Sequence, residues 1–338
     1  MNTRAGIKRH LGFSLVELMV AMVIGFIVVG AVGYLYLGTR QAFRVQSNLS
    51  GIQESARYAL NTLAQDIRMA GYFGCAGPSA TITNVLNNPS AFDNNFTQPV
   101  AGFDASGSTW SPVLPTTLTS ANPAPLAGTD VISLRTVAGG GTEVTKQNLP
   151  SADLQVASSK GLSIGDIAVV TNCSQAAVFQ VTNLNNGGAS FNVVHQTGTQ
   201  IPGNSNNSLG TSYTGGQLIK VATRSYYIGN NPAGVPALYE IDSYGTAQEL
   251  ADGVQNMQIL YGVDTNNDGS ADQYVTAPNV ANWNQVVSAR IMLLLVGTED
   301  HITNTQQSLQ YNGGTFNAPD HRLYQTISTT VALRNRIP

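Results

Sequence analysis

The first strong pattern along the chain is a run of apolar residues near its N-terminus. The run covers residues 13–37, and Glu17 is its only ionisable side chain before Tyr34. As a helix the run would be roughly 37 Å long, which exceeds a hydrocarbon core of ~30 Å. The pattern therefore predicts a helix over residues 13–37 that is able to span a membrane.

Beyond this run the apolar positions fall into one stripe at helical spacing. The members recur every three or four residues: Leu49, Ile52, Ala56, Ala59, Leu60, Leu63, Ile67 and Ala70. Polar and charged residues fill the positions between them. This spacing predicts an amphipathic second half of the helix over residues 38–72, which lies with one face on a sheet. Glycines from Gly71 to Gly74 predict its end.

The rest of the chain alternates short apolar runs with turn residues, which is typical of β structure. Strands are predicted over 130–138, 167–171, 178–184, 190–195, 217–227, 237–241, 257–263, 286–296 and 327–334. The last two are expected to form the sheet under the helix. Residues 76–128 are rich in Pro, Ser, Thr and Asn, which predicts a long insertion dominated by loops. The expected fold class is α+β, with the long helix packed on an antiparallel, β-sheet-rich head over residues 73–338.

Composition narrows the function classes. Only 10% of the residues are charged, against roughly 25% in an average soluble domain, whereas 42% are hydrophobic and Gly occurs 34 times. These values argue against a charge-laced helical bundle and against disorder. The net charge of −3 offers no overall basic field for nucleic acid. No nucleophile, zinc or phosphate-loop motif is present, and the four histidines, His10, His195, His301 and His321, are scattered, so we expect no enzyme.

A short basic segment precedes the apolar run. Arg4, Lys8 and Arg9 lie in it, which places the N-terminal end in the cytoplasm and the head across the membrane, in the periplasm of a bacterium. The apolar run is too long for an ordinary secretory signal, and no A-x-A cleavage site follows it. Judged by hydropathy alone, residues 1–37 can be interpreted as an uncleaved signal anchor.

Glu17 adds a second consideration, because a carboxylate inside an apolar segment costs about 2.5 to 3.5 kcal/mol at the membrane centre, less near the edge, and needs a partner. Cleavage after Gly12 would create an α-amino group on Phe13, available to Glu17 of the same or of a neighbouring chain. Residues 12–18, Gly-Phe-Ser-Leu-Val-Glu-Leu, resemble the class III signal of type IV prepilins. The resemblance implies a leader over residues 1–12, N-methylation of Phe13, and a Glu17 that guides subunits into a helical filament.

Three further segments narrow the resemblance to the PilW-type minor pilins, which are relatives of the J-type pseudopilins of type II secretion. Residues 57–75 resemble the end of the N-terminal helix in that family, and residues 251–264 and 330–336 are also similar to it. Residues 76–250 carry no matching motif.

This resemblance implies a minor pilin of the bacterial inner membrane, and later of the pilus surface, that helps to prime assembly at the pilus tip. Its implied partners are other minor pilins, the major pilin, prepilin peptidase, the inner-membrane assembly platform and a PilY-type tip adhesin. A type II secretion pseudopilin is the alternative within the same class.

The two cysteines, Cys75 and Cys173, are too few for a disulfide scaffold, and neither belongs to a CxxC pair. In an oxidising compartment we expect them to pair, closing a loop of about 99 residues that is worth roughly 4.7 kcal/mol at most in the chain-entropy model. Two free buried thiols are the alternative.

Residues 264–275 match most of a calcium-binding loop. Asp264, Asn266, Asp268 and Asp272 would supply side-chain oxygens, Ser270 its carbonyl, and Gly269 the sharp turn. Position twelve is Val275, so the bidentate Glu of such loops is missing. The sequence therefore allows two interpretations: a calcium site, in which case the chain is a membrane-anchored periplasmic calcium-binding module or a pilin with bound calcium, or a solvated turn between two strands.

Overall fold

The computed structural model describes residues 12, 14–77, 80–188, 190–243 and 245–336. Residues 1–11 of the predicted leader and Phe13 of the predicted processing site lie outside the described residues.

The first element is one uninterrupted helix, α1, from Leu15 to Met69. Its 55 residues span roughly 82 Å. The two helical segments predicted from the sequence are therefore parts of one helix, which ends three residues before the predicted position 72. The chain leaves the helix at Gly71, whose φ of +71° is a left-handed conformation that a side chain would strain.

The two halves of α1 differ in their surroundings. Every described residue from Leu15 to Arg40 is exposed. From Asn48 onwards the predicted stripe packs into the head, where Ile52, Ala59, Leu63 and Ile67 are at most 4% exposed. Leu49 lies at the margin of the stripe and is 36% exposed. The helix therefore has a free apolar half and a docked amphipathic half.

The head consists of short strands with few helical turns. The strands are β1 Thr81–Asn84, β2 Val100–Ser106, β3 Thr109–Ser111, β4 Val131–Val137, β5 Thr142–Gln147, β6 Asp153–Val156, β7 Ile167–Thr171, β8 Gln175–Gln180, β9 Asn183–Asn186, β10 Phe191–Val194, β11 Gln217–Asn230, β12 Pro236–Asp242, β13 Ala247–Asp252, β14 Val254–Val263, β15 Gln273–Val275, β16 Val286–Val296, β17 Ser308–Tyr311, β18 Gly314–Asn317 and β19 Tyr324–Ala332. Helix α2 is Thr116–Thr119, and four 3-10 turns are Phe92–Asn94, Ala277–Asn279, Trp283–Gln285 and Arg334–Arg336.

Within the described residues the strands form three sheets. Thirteen strands build a branched sheet around β11, the longest strand, whose 14 residues pair with β7 and β5 at one end and with β4 and β12 at the other. A second sheet has the order β15-β14-β16-β19, and β17 and β18 form a hairpin. The pairings are antiparallel except for β1 with β8. The α+β class and the antiparallel head are confirmed.

The helix packs on both larger sheets. One core cluster joins Ile52, Leu63 and Ile67 of α1 to Met257 of β14 and Ile291 of β16, and it also reaches β4, β11 and β12. Strands β16 and β19 pair directly, as predicted for the sheet under the helix. A separate cluster, formed by β5 to β8 and β10, lies in the part of the head for which the sequence offered no motif.

Two predictions about the head need correction. Residues 76–128 are not only loops, because β1, β2 and β3 lie there, and Val100 to Phe103 of β2 are buried beside β4. The abundant Pro and Asn on both sides obscured this short apolar run. The strand predicted over 178–184 is instead the end of β8 and the start of β9. Val181 still bonds to Asp166 beside β7, whereas the N–H of Thr182 donates to the carbonyl of Val194 in β10, so the chain changes its pairing partner there.

Candidate functional site

The free end of α1 begins with a reciprocal pair of hydrogen bonds. The N–H of Glu17 donates to Oγ of Ser14 at 3.1 Å, and the N–H of Ser14 donates to Oε2 of Glu17 at 3.0 Å. This capping box satisfies two N–H groups that the first helical turn would leave without partners. Glu17 therefore has a partner in the backbone N–H of Ser14, in addition to the α-amino group of Phe13 considered above. The Ser-x-x-Glu spacing was the sequence signal for it.

After this cap the helix presents an apolar surface on all sides. Its mean hydropathy reaches 2.7 over an 18-residue window, none of which is buried within the chain. Phe26 is 74% exposed and Val29 70%. Such a surface is stable only in lipid or against other apolar helices. The predicted membrane segment is thus available both for anchoring and for helix packing.

A charged network fastens the other end of α1 to the head. The Asp66 carboxylate accepts a hydrogen bond from Oη of Tyr226 at 2.6 Å. It also forms an ion pair with Nη1 of Arg224 at 3.0 Å. Arg224 also pairs with Glu240 of β12 at 3.2 Å. Burial raises the pKa of Tyr226 well above its usual value, and the two nearby carboxylates add to this effect, so the hydroxyl remains a donor. This network joins α1 to β11 and β12.

The end of α1 is enclosed by residues from distant parts of the chain. Ala70 is fully buried, and the N–H of Gly71 donates to the carbonyl of Arg135 at 2.8 Å. A Cβ at Gly71 would lie 2.8 Å from Cγ of Pro99. Nδ2 of Asn335 donates to the carbonyl of Ala70 at 3.3 Å, which supplies a partner to the end of the helix. The C-terminal segment is therefore part of the helix attachment.

A second contact holds α1 where it leaves the head. The loop after β16 meets the helix through three side chains: Nε2 of Gln41 donates to the carbonyl of Ile302 at 2.9 Å, Arg44 pairs with Glu299 at 3.0 Å, and Oδ1 of Asn48 accepts the N–H of Glu299 at 3.2 Å. Asn48 is only 7% exposed. The helix is thus fixed at both ends of its docked half, about 25 residues apart.

The predicted disulfide is present. Cys75 and Cys173 are bonded, with their Cα atoms 4.6 Å apart, and 98 positions separate them along the chain. Cys75 follows the end of α1, and Cys173 lies in the turn between β7 and β8. The bond therefore ties the end of the helix to the branched sheet.

The loop predicted to bind calcium forms a turn. Its side-chain oxygens accept hydrogen bonds from N–H groups of the same loop. Asp264 accepts the N–H groups of Asn267 at 2.6 Å and Gly269 at 2.8 Å. Nδ2 of Asn266 donates to Oδ2 of Asp268 at 3.1 Å and to Oδ1 of Asp272 at 3.4 Å.

Asn266 thus directs a donor, not an oxygen, at the two carboxylates, because its Oδ1 accepts the N–H of Asp268. The N–H of Ser270 also donates to Asp268, at 2.8 Å. Among the described residues, no group of three or more His, Cys, Asp or Glu is arranged to hold a metal ion. The loop in this conformation does not fit a calcium ion, and the calcium hypothesis stays a prediction.

His195 and Asp130 are two of the ionisable groups buried inside the head. Burial lowers the pKa of His195 to about 4, and neither ring nitrogen has a hydrogen-bond partner among the described residues. Burial raises the pKa of Asp130 to about 7, although the N–H groups of Ala105 and Ile259 donate to its carboxylate. Both side chains lie far along the chain from the free helix, and both make the stability of the head depend on pH.

The segments that carried the resemblance meet around the docked half of α1. Residues 57–75 supply Asp66 and Gly71, and residues 330–336 supply Asn335. Residues 251–264 supply Asp252, whose Oδ1 accepts a hydrogen bond from Oγ of Ser55 at 3.2 Å. Gly253 in the third segment has a φ of +70°, and a Cβ there would lie 2.7 Å from the carbonyl oxygen of Val296. These segments are distant in sequence but share one task, the attachment of the helix to the sheets.

The fold and this site define a chain with an N-terminal apolar helix for membrane anchoring, continued into a β-rich head. Residues 7–33 match the family model of the prokaryotic N-terminal methylation motif. Residues 225–335 match the family model described as type IV pilus-assembly protein W. The matched stretch holds β12 to β19 and the end of β11, so the PilW resemblance seen in the sequence is confirmed there.

Among solved structures, a type IV-like pilin from Thermus thermophilus aligns with 85% of this chain and 97% of its own, at 11% sequence identity and a TM-score of 0.34. No curated protein matches the sequence.

Proposed function

We propose that this chain is a minor pilin that helps to initiate type IV pilus assembly and forms part of the complex at the pilus tip. The observation that carries the proposal is the free half of α1, which exposes apolar side chains on every face and begins at a carboxylate. A helix of this kind can pass from lipid into a bundle of similar helices without losing apolar contacts. The matches to the methylation motif and to the pilus-assembly model support the same conclusion.

The proposed route follows from this architecture. Prepilin peptidase cleaves after Gly12 on the cytoplasmic side, and Phe13 becomes the N-methylated first residue. The head stays in the periplasm, held at a fixed angle by the two attachments of α1. The mature helix then packs with those of other minor pilins and of the major pilin on the inner-membrane assembly platform. A tip adhesin of the PilY type is the proposed partner of the head.

Glu17 is the proposed assembly residue, and three variants separate its two roles. Glu17→Ala removes both the charge and the cap, whereas Glu17→Gln removes the charge but keeps an oxygen that can accept the N–H of Ser14. Glu54→Ala is the matched control, since Glu54 is exposed on the docked half of the same helix. We expect both Glu17 variants to lose surface pili while the chain still reaches the membrane, and the control to keep them.

Normal pilus numbers in Glu17→Ala would contradict the assembly role, and normal numbers in Glu17→Gln alone would reduce that role to capping. The phenotype of a deletion separates the alternative within the class. Loss of secreted enzymes with intact pili would favour a type II secretion pseudopilin.

A further inference from the structure

Two histidines that the proposed function does not use lie beside each other where α1 leaves the head. His301 belongs to the loop after β16, and His321 belongs to the loop between β18 and β19. Their ring centroids are 6.0 Å apart, and the ring planes differ by 19°. The side chain of His301 is 83% exposed, so the pair is accessible from solution.

Each ring has an oxygen near its Nδ1 atom. Nδ1 of His321 lies 3.0 Å from the carbonyl oxygen of Thr303, and Nδ1 of His301 lies 3.5 Å from Oδ2 of Asp300. Because a carbonyl oxygen can only accept, the contact of His321 assigns the proton of the neutral ring to Nδ1. The Nε2 atom then carries the lone pair. Histidines that bind metals are oriented by the same kind of hydrogen bond from the other ring nitrogen.

The two loops are already held together without a metal. Oδ1 of Asp300 accepts the N–H of His301 at 2.7 Å and the N–H of His321 at 3.2 Å. The N–H of Ile302 also donates to the carbonyl of His321 at 3.0 Å. The backbone at His301 has a φ of +58°, a conformation that few residues with side chains adopt. The backbone positions of His301 and His321 are therefore held by these hydrogen bonds, independently of the contact between the two imidazoles.

The spacing of the rings is compatible with a shared metal ion. A metal lies about 2.0 to 2.1 Å from an imidazole nitrogen, hence roughly 3.2 Å from the ring centroid, so two such rings have centroids at most about 6.4 Å apart. This limit corresponds to a linear arrangement of the two nitrogens about the metal, and the observed 6.0 Å lies just within it. Rotation of the exposed His301 side chain is the adjustment needed to direct its Nε2 at the same point.

We propose that His301 and His321 bind a divalent transition-metal ion of the class that prefers imidazole, such as Zn²⁺, Ni²⁺ or Cu²⁺. With no third protein ligand of the His, Cys, Asp or Glu type grouped with them among the described residues, water completes the coordination and the ion exchanges readily. The ion would join the two loops. The carbonyl of Ile302 accepts a hydrogen bond from Nε2 of Gln41, so joining the two loops also strengthens the contact between the head and α1.

The first test is calorimetric titration of the full chain in detergent with ZnCl₂, using protein that carries no polyhistidine tag. We expect one equivalent to bind, and His301→Ala and His321→Ala each to weaken binding by about tenfold or more. His195→Leu and His10→Gln are matched controls that remove a histidine elsewhere and are expected to bind as the unmodified chain does. Absence of saturable binding below about 1 mM, or binding that the two alanine variants leave unchanged, would overturn the proposal.

A second measurement covers the case in which His321→Ala disturbs its loop through the lost contact to Thr303. Electron paramagnetic resonance of the Cu²⁺-loaded unmodified chain is expected to show two imidazole nitrogens bound to copper, and His301→Ala is expected to show one. A single nitrogen in the unmodified chain would contradict the shared site whatever the stability of the variants.

Discussion

His195 makes the head sensitive to acid, and the effect can be calculated from its surroundings. The imidazole is fully buried beside Phe179, with ring centroids 4.9 Å apart, and burial lowers its pKa from 6.5 to about 4. The unfolded chain therefore binds a proton at mildly acidic pH that the folded chain does not bind. Stability from this group is complete above pH 6.5 and is lost as pH falls toward 4.

The magnitude follows from the difference between the two pKa values. One pKa unit corresponds to about 1.4 kcal/mol, so the complete loss is on the order of 3 kcal/mol, and the loss between pH 8 and pH 5 is about 2 kcal/mol. Asp130 acts in the opposite direction, because its raised pKa of about 7 means that the folded state gains a proton as pH falls. A comparison with a variant at His195 cancels this contribution.

The assay is urea unfolding of a chain that begins at Gly38, which retains every described contact of α1 with the head. We expect His195→Leu to lose about 2 kcal/mol less than the unmodified chain between pH 8 and pH 5. At pH 8 we expect the variant to be at least as stable, because it removes two ring nitrogens without partners. Parallel pH profiles for the two chains would contradict this effect of His195.

Three further predictions concern the attachments and the loop. Asp66→Ala should lower the free energy of unfolding by about 3 kcal/mol, because it removes charge-assisted bonds from Tyr226 and Arg224; an unchanged urea midpoint would show that the network does not hold the helix. Replacing Cys75 and Cys173 together by Ser should cost about 3 to 5 kcal/mol in the same assay, and equal stability of the two chains would contradict the role of the bond. Under the calcium hypothesis, calcium at about 5 mM should raise the melting temperature more than magnesium does, because the Asp264 loop would rearrange into the predicted site, and equal effects of the two ions would leave the loop a plain turn.

The helix and its attachment to the head show which features could be predicted from the sequence and which could not. The stripe from Ile52 to Ala70 could be assigned to a buried face because helical periodicity depends only on local spacing. The partners of Asp66 could not be found in this way. Arg224 and Tyr226 lie about 160 positions further along the chain. Only the pairing of β11 with its neighbours brings them to the helix.

The head shows the same division between local and distant information. Strands β7 and β16 agree with their predicted bounds. Strand β7 is buried on both faces, and β16 is apolar except for Ser288 and Arg290 and is buried over most of its length. The partners of β11 depend on pairings across distant segments. Leu134 of β4, for example, pairs with Arg224 of β11 on one side and with Val100 of β2 on the other. The calcium hypothesis rested on residue types at the right spacing, but the direction of the Asn266 amide depends on backbone hydrogen bonds that spacing does not specify.

The proposed function requires that this chain be processed and assembled as a pilin. Mass spectrometry of the N-terminal peptide, from membranes of cells with active prepilin peptidase, tests this requirement. We expect a mature chain that begins with N-methylated Phe13. A chain that retains Met1 and an intact bond between Gly12 and Phe13 would contradict it and leave a membrane anchor in place of a pilin.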